Sequence, residues 1–159
     1  MPEQLQQLNI SYIAKEDRLL FRVRVGANTE FRIWFTRRFT DLLLKLLNEK
    51  MQNYGGAEVL AVSNETQKDI KQGAFEKKYQ EPQAPDYPFG ENGFVACQIK
   101  SGTDKQDNLQ LQILPEKGKG MNLKLDKKLM FMLHNLLTQG IQHADWNLAY
   151  EASLPKDIH

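Results

Sequence analysis

Laid on itself with a shift of 90 residues, this chain of 159 repeats one pattern without a gap. Residues 18–47 (RLLFRVRVGANTEFRIWFTRRFTDLLLKLL) fall on residues 108–137 (NLQLQILPEKGKGMNLKLDKKLMFMLHNLL). Leu19, Phe21 and Val23 meet Leu109, Leu111 and Ile113, and Phe31, Ile33 and Phe35 meet Met121, Leu123 and Leu125. Only four of the thirty aligned pairs are identical, so identity decides little. Spacing decides more, because two alternating segments, a glycine-bearing turn and a helix start all keep their distances. The pattern predicts an α+β fold of duplicated β-β-β-α blocks. A curved, mostly antiparallel sheet would pack against two main helices.

Each block reads the same way. Residues 18–25 alternate, with Leu19, Phe21, Val23 and Val25 on one face and Arg18, Leu20, Arg22 and Arg24 on the other, the period of a half-buried strand. Phe31, Ile33 and Phe35 line a second strand, and an earlier one is expected at 8–13. Thr36 is placed to cap a helix whose stripe is Phe39, Leu42, Leu43, Leu46 and Leu47. The second block has strands at 94–100, 108–114 and 121–125. Pro115, lacking an amide hydrogen, ends the middle one or sits at an edge. Asp126 caps a helix carrying Leu129, Met132, Leu133, Leu136 and Leu137, which Gly140 ends or bends. A further short helix is expected at 141–150, with Trp146 against the body. Neither stripe holds a helix together in isolation, so each requires a sheet.

The blocks, 8–50 and 94–140, are read as pseudo-repeats within one domain spanning 1–159. The connector, 51–93, carries a helix around 65–79 and then the Pro/Gly-containing stretch EPQAPDYPFGENG. A short C-terminal extension, 141–159, follows. The single cysteine, Cys97, excludes an intrachain disulfide. Its alternation with Val95 and Ile99 predicts a buried thiol. No apolar run approaches the roughly 20 residues of a membrane span. The first residues lack the basic and apolar regions of a secretory leader. The expected location is the cytoplasm.

A net charge of +1 conceals an uneven distribution. Residues 8–50 carry nine Lys/Arg against five Asp/Glu, and residues 94–140 carry seven against four. With the apolar faces turned to the helices, the first block shows Arg22, Arg24, Arg32 and Trp34 outward. The second shows Gln110, Gln112 and Lys124, with Gln98, Lys100 and Asn122 beside them. Arginine forks match phosphates, tryptophan stacks on bases, and amides bond to base edges. The same residues also suit the solvated face of an antiparallel sheet, or a subunit interface. Arg37-Arg38 and Lys127-Lys128 follow the two caps. Positive charge there opposes the helix dipole unless an anion, or a carboxylate such as Asp41 or Glu30, offsets it. Leu44 and Phe131 lie off the expected stripes and are candidate contacts between subunits, predicting a homodimer or higher homo-oligomer.

Motifs with a known chemistry are missing from the chain. There is no GxSxG elbow, phosphate loop or dinucleotide fingerprint. His134 is placed at a helix edge. His143 and Asp145 are two residues apart, which does not set them side by side on a helix. No metal-ligand spacing is present. The expectation is a protein that is not an enzyme, with no catalytic residues, cofactor or metal.

Two strand-rich halves that each end in a helix resemble the fold shared by the single-stranded-DNA-binding Whirly, PC4 and PUR proteins. The resemblance is topological and covers 8–50 and 94–140. It implies an assembling protein that acts on single-stranded DNA or RNA. The residues themselves point first to a non-enzymatic, homo-oligomeric scaffold or protein-binding module. The alternative is a single-stranded nucleic-acid-binding protein using the basic, tryptophan-containing sheet face.

Overall fold

The computed structural model describes residues 5–53 and 85–146. Its chain runs β1 (Leu5–Ile13), β2 (Arg18–Val25), β3 (Thr29–Phe35), α1 (Arg37–Asn53), β4 (Phe94–Val95), β5 (Gln98–Thr103), β6 (Leu109–Leu114), β7 (Met121–Leu125) and α2 (Lys127–Ala144). The connector helix expected near 65–79 and the end of the C-terminal extension lie outside the described residues.

The strands form two sheets where the sequence predicts one. The first has the order β1-β2-β3-β4 and the second β5-β6-β7. All pairings are antiparallel except β3 with β4. The expected single strand at 94–100 is divided between them. Phe94 and Val95 pair with Ile33 and Trp34 of the first sheet, and Gln98 onward pairs with β6 of the second. At the crossing, Ala96 donates its amide to Trp34 O and Cys97 donates to Leu114 O.

That crossing corrects the reading of Cys97. Ala96 is buried and Ile99 half-buried, whereas Cys97 and Gln98 are both exposed. Strict alternation slips by one residue where the chain changes sheets, so the thiol predicted to face inward faces out.

The apolar strand faces are buried as their alternation requires. Leu19, Phe21, Val23, Ile33 and Phe35 line the first sheet, and Leu109, Leu111, Ile113, Met121, Leu123 and Leu125 the second. All belong to one core cluster with both helices. Phe39 N donates to the Thr36 hydroxyl at 3.1 Å and Leu129 N to the Asp126 carboxylate at 2.8 Å, so both caps stand where the sequence puts them. Strand β6 stops at Leu114, directly before Pro115.

The helices are rotated from the predicted stripes. In α1 the buried residues are Phe39, Thr40, Leu43, Leu44, Leu47 and Met51, while Leu42 is 45% exposed. In α2 they are Met130, Leu133, Leu136, Leu137, Gly140 and Ile141. Thr40 can occupy a core position because its hydroxyl donates to Thr36 O at 2.8 Å, a local bond that leaves no unmet polar group. The 90-residue spacing survives the rotation: Thr40, Leu43, Leu47 and Met51 correspond to Met130, Leu133, Leu137 and Ile141, and all eight are buried.

Each helix ends on the sheet of the other half. Lys50, in the last turn of α1, donates to Thr103 Oγ1 at 3.1 Å and Asp107 Oδ1 at 3.2 Å beside the β5–β6 turn. The far end of α2 lies across β1 and β2. The helix continues past Gly140, correcting the expectation that it could end there, and is capped by Asp145 in the left-handed conformation. A Cβ at Gly140 would sit 3.1 Å from both Ile10 Cγ2 and Leu19 Cδ2, so glycine sets the depth of the helix on the sheet. Trp146 then donates its indole N–H to Asp17 Oδ1 at 2.9 Å, across a sequence separation of 129. Tyr12 (2.8 Å) and Arg37 (2.6 Å) donate to the same carboxylate. No described helix is long and apolar enough to cross a membrane.

Packing and charge at these junctions set two expected outcomes. Gly140→Val overpacks the α2–β1 contact and should lower unfolding stability by about 1–3 kcal/mol in urea titration, whereas the same exchange at exposed Gly102 should be far milder. Bonds from Trp146, Tyr12 and Arg37 hold the Asp17 carboxyl down to about 2. A depressed carboxyl stabilises the fold fully above its ordinary value, and that contribution disappears as pH falls through the folded one. Acid titration followed by tryptophan fluorescence should therefore show a loss of stability between pH about 4 and about 2 that is shallower in Asp17→Asn.

Candidate nucleic-acid interface

The register of the first sheet places its polar residues in rows across the strands. Directly paired residues share a face, so the outer face reads Gln7–Arg24–Glu30, Asn9–Arg22–Arg32 and Ser11–Leu20–Trp34. Arg22, Arg24, Arg32 and Trp34 are thus brought together as the alternation predicts. All four are half-buried, which is less open than a plain solvent face. Arg22 donates from Nη2 (2.9 Å) and Nε (3.2 Å) to Asn9 Oδ1. Arg32 pairs with Glu30 at 2.5 Å, and Glu30 is fully buried. A buried carboxylate is tolerated beside a guanidinium that neutralises and hydrogen-bonds it.

At Arg32 and Trp34 part of the cover comes from residues 86–93, the end of the connector. Asp86 forms a parallel bridge to Thr29, accepts from Glu30 N and donates its own amide to Asn28 O. Beyond it, Arg32 donates from Nη1 to Glu91 O at 2.9 Å, and the Trp34 indole donates to Asn92 O at 2.8 Å. The Arg32 guanidinium also lies 4.7 Å from the centre of the Tyr87 ring. On the other side of β3, Phe89 packs on Phe31 (5.1 Å) and Phe94 (4.9 Å). Gly93 passes so close to β3 that an added Cβ would overlap the Arg32 carbonyl, and its φ of +70° suits glycine. Sequence reading treats 81–93 as a linker. The signal for its role is the aromatic pair Tyr87 and Phe89, which flanks Pro88 in a turn closed by the Gly90 amide on Tyr87 O and grips both sides of the edge.

The second sheet is uncovered by comparison. Its outer face carries the rows Lys100–Gln112–Asn122 and Gly102–Gln110–Lys124. Lysine stands at the β5 end of one row and the β7 end of the other. Gly102 contributes no side chain, and the surface dips there into an open depression of about 590 Å³ lined by Lys100, Gln110, Gln112, Asn122 and Lys124. Lys124 stays 61% exposed while lying 3.5 Å from Asp104. Asp104 is itself the organiser of the β5–β6 turn. Bonds from Asn108 and Gln106 hold its carboxyl below the ordinary value, with the Asn108 backbone amide the largest influence.

The basic helix starts separate in role. Arg37 is answered by Asp17 and lies over the Trp146 ring at 5.5 Å. The compensating carboxylate is therefore Asp17, while Asp41 pairs with Lys45 at 2.9 Å and Glu30 with Arg32. Arg38 is exposed beside a groove of about 240 Å³ formed with Thr36, Phe39, Leu42, Val95, Ala96 and Cys97. Lys127 and Lys128 edge a depression with Gln106, Asp107, Asn108 and Asp126. Of the two expected subunit contacts, Leu44 is 1% exposed and so part of the monomer core, which corrects its assignment to a helix flank. Phe131 is half-buried. His134 donates from Nε2 to Asn48 Oδ1 at 2.9 Å where the helices meet, and burial pushes its imidazole below the ordinary value.

Among the described residues no group of three or more His, Cys, Asp or Glu side chains is arranged to hold a metal ion. No family model, curated protein or solved structure matches this chain.

Proposed function

We propose that this is a non-enzymatic binding protein that receives single-stranded nucleic acid on the outer face of its second sheet. The observation that carries the reading is the pair of rows Lys100–Gln112–Asn122 and Gly102–Gln110–Lys124 around an open depression. Two cations at opposite corners can meet separate phosphates. The three amides between them can donate to and accept from base edges or sugar hydroxyls. An open depression edged by lysines and amides suits an extended polymer better than a small molecule, which is held in an enclosed and mostly apolar pocket. The bonding of two carboxylates supports a non-catalytic role, because Asp17 joins β1, α1 and the residue beyond α2 while Asp104 fixes the β5–β6 turn. A cytoplasmic setting fits the exposed Cys97 thiol, which a reducing compartment keeps from cross-linking.

Fluorescence anisotropy with a labelled dT oligonucleotide tests this directly. Affinity should fall as salt rises. Lys100→Gln combined with Lys124→Gln should weaken binding and flatten the log–log salt slope by about 0.7 for each phosphate no longer neutralised. Absence of binding at low salt, or binding indifferent to salt, would refute it.

A second reading, docking of protein or of another copy of this chain, rests on Leu42. It is the exposed large apolar side chain among the described residues, and it stands beside Phe39 and Val95 in the groove at the start of α1. If this surface drives homo-oligomer formation, light scattering at tens of micromolar should give a mass above that of one chain, and Leu42→Ser should return it to a monomer. A monomeric parent would remove the homo-oligomeric form of this reading.

A further inference from the structure

We infer that the first sheet carries a second, latent site for single-stranded nucleic acid, held shut in the free protein by residues 87–93. This rests on the proposed binding activity but concerns a different surface. The two donors that a tryptophan–arginine platform would offer to a ligand, the Trp34 indole N–H and Arg32 Nη1, are both spent on consecutive backbone carbonyls, Asn92 O at 2.8 Å and Glu91 O at 2.9 Å. The planar surface of the guanidinium is spent as well, on the Tyr87 ring at 4.7 Å. Hydrogen-bond acceptors on consecutive residues, with an aromatic ring over arginine, are the groups that a nucleotide strand would bring: phosphate or base oxygens for the donors, and a base for the stack. The strap therefore occupies the surface with chemistry of the same kind.

The attachment is uneven, which is what a displaceable segment requires. At one end Asp86 is tied into the β-ladder of β3, and at the other Phe94 and Val95 are. Between those points, residues 87–93 bond to the Arg32 and Trp34 side chains of the outer face, while Glu91 and Asn92 are themselves exposed. Lifting the segment would uncover Trp34 and Arg32 beside Leu20 and Arg22, a surface with the stacking group that the second sheet's outer face lacks. Ligand affinity at such a site is reduced by the fraction of time it is open, so loosening the strap raises apparent affinity without adding a contact.

The test compares dT oligonucleotide binding, by anisotropy at fixed low salt, in the full chain and in Tyr87→Ala. Far-UV circular dichroism verifies the fold. Tyr87→Ala should bind more tightly, by roughly fivefold or more. The gain should vanish in Tyr87→Ala/Trp34→Ala and persist on a Lys100→Gln/Lys124→Gln background. The Trp34 indole resonance should shift on titration. If Tyr87→Ala does not retain its fold, Phe89→Leu loosens the same segment from the Phe31 and Phe94 side. A parent that binds while the folded, loosened variant binds no better overturns the latent site and leaves the open-face reading intact. A parent that fails to bind beside a variant that does bind has the opposite meaning: the latent site stands and the open face falls. If neither binds, both are overturned. A gain that survives removal of Trp34 also overturns the latent site.

Discussion

The structure depends on one crossed arrangement: each helix begins at the end of its own half's sheet and finishes on the other's. Lys50 carries α1 to the β5–β6 turn, and Gly140 lets α2 settle onto β1 and β2. Because the apolar stripes are completed by residues from the opposite block, the buried surface that stabilises each helix belongs to both halves. The carboxylate of Asp17 closes the arrangement by collecting donors from β1, from the first turn of α1 and from beyond the end of α2. Two sheets that share no strand ladder are in this way made into one body.

The same interlock explains why the outer faces differ. Both are built from the alternating positions that point away from the helices. The connector returns along β3, however, and its aromatic residues grip that edge from two sides. The first face is consequently half-buried and internally bonded, while the second, whose edges β5 and β7 meet no returning segment among the described residues, stays open. Chemical resemblance between two surfaces thus gives way to a difference in access.

Much of this was legible in the sequence wherever the information is local. Alternation in β2, β3, β6 and β7, the Thr36 and Asp126 caps and the stop before Pro115 are decided by neighbours a few residues away, and these stand as read. The helix rotation was not legible, because the buried stripe includes Thr40, whose hydroxyl is satisfied inside its own helix and which a count of apolar residues passes over. The outward Cys97 was hidden by a one-residue slip that occurs only because its strand changes sheets. Glycine at position 140 reads as a helix breaker until the side chains of Ile10 and Leu19 are seen beneath it. For the candidate site, the rows of polar side chains followed from periodicity, but the carbonyls of Glu91 and Asn92 that meet Arg32 and Trp34 come from about 60 positions away, and no pattern within the strand encodes them.

The chain's passage from β4 to β5 has a mechanical implication. Residues 93–98 run from the edge against Arg32 to the first residue of the second sheet with no loop between them. Slack has nowhere to accumulate along such a path. Any displacement above Trp34 meets the Phe94–Val95 pairing with β3 and the backbone bonds of Ala96 and Cys97 before it reaches Gln98, so the two polar surfaces are near neighbours along the chain and yet separately anchored.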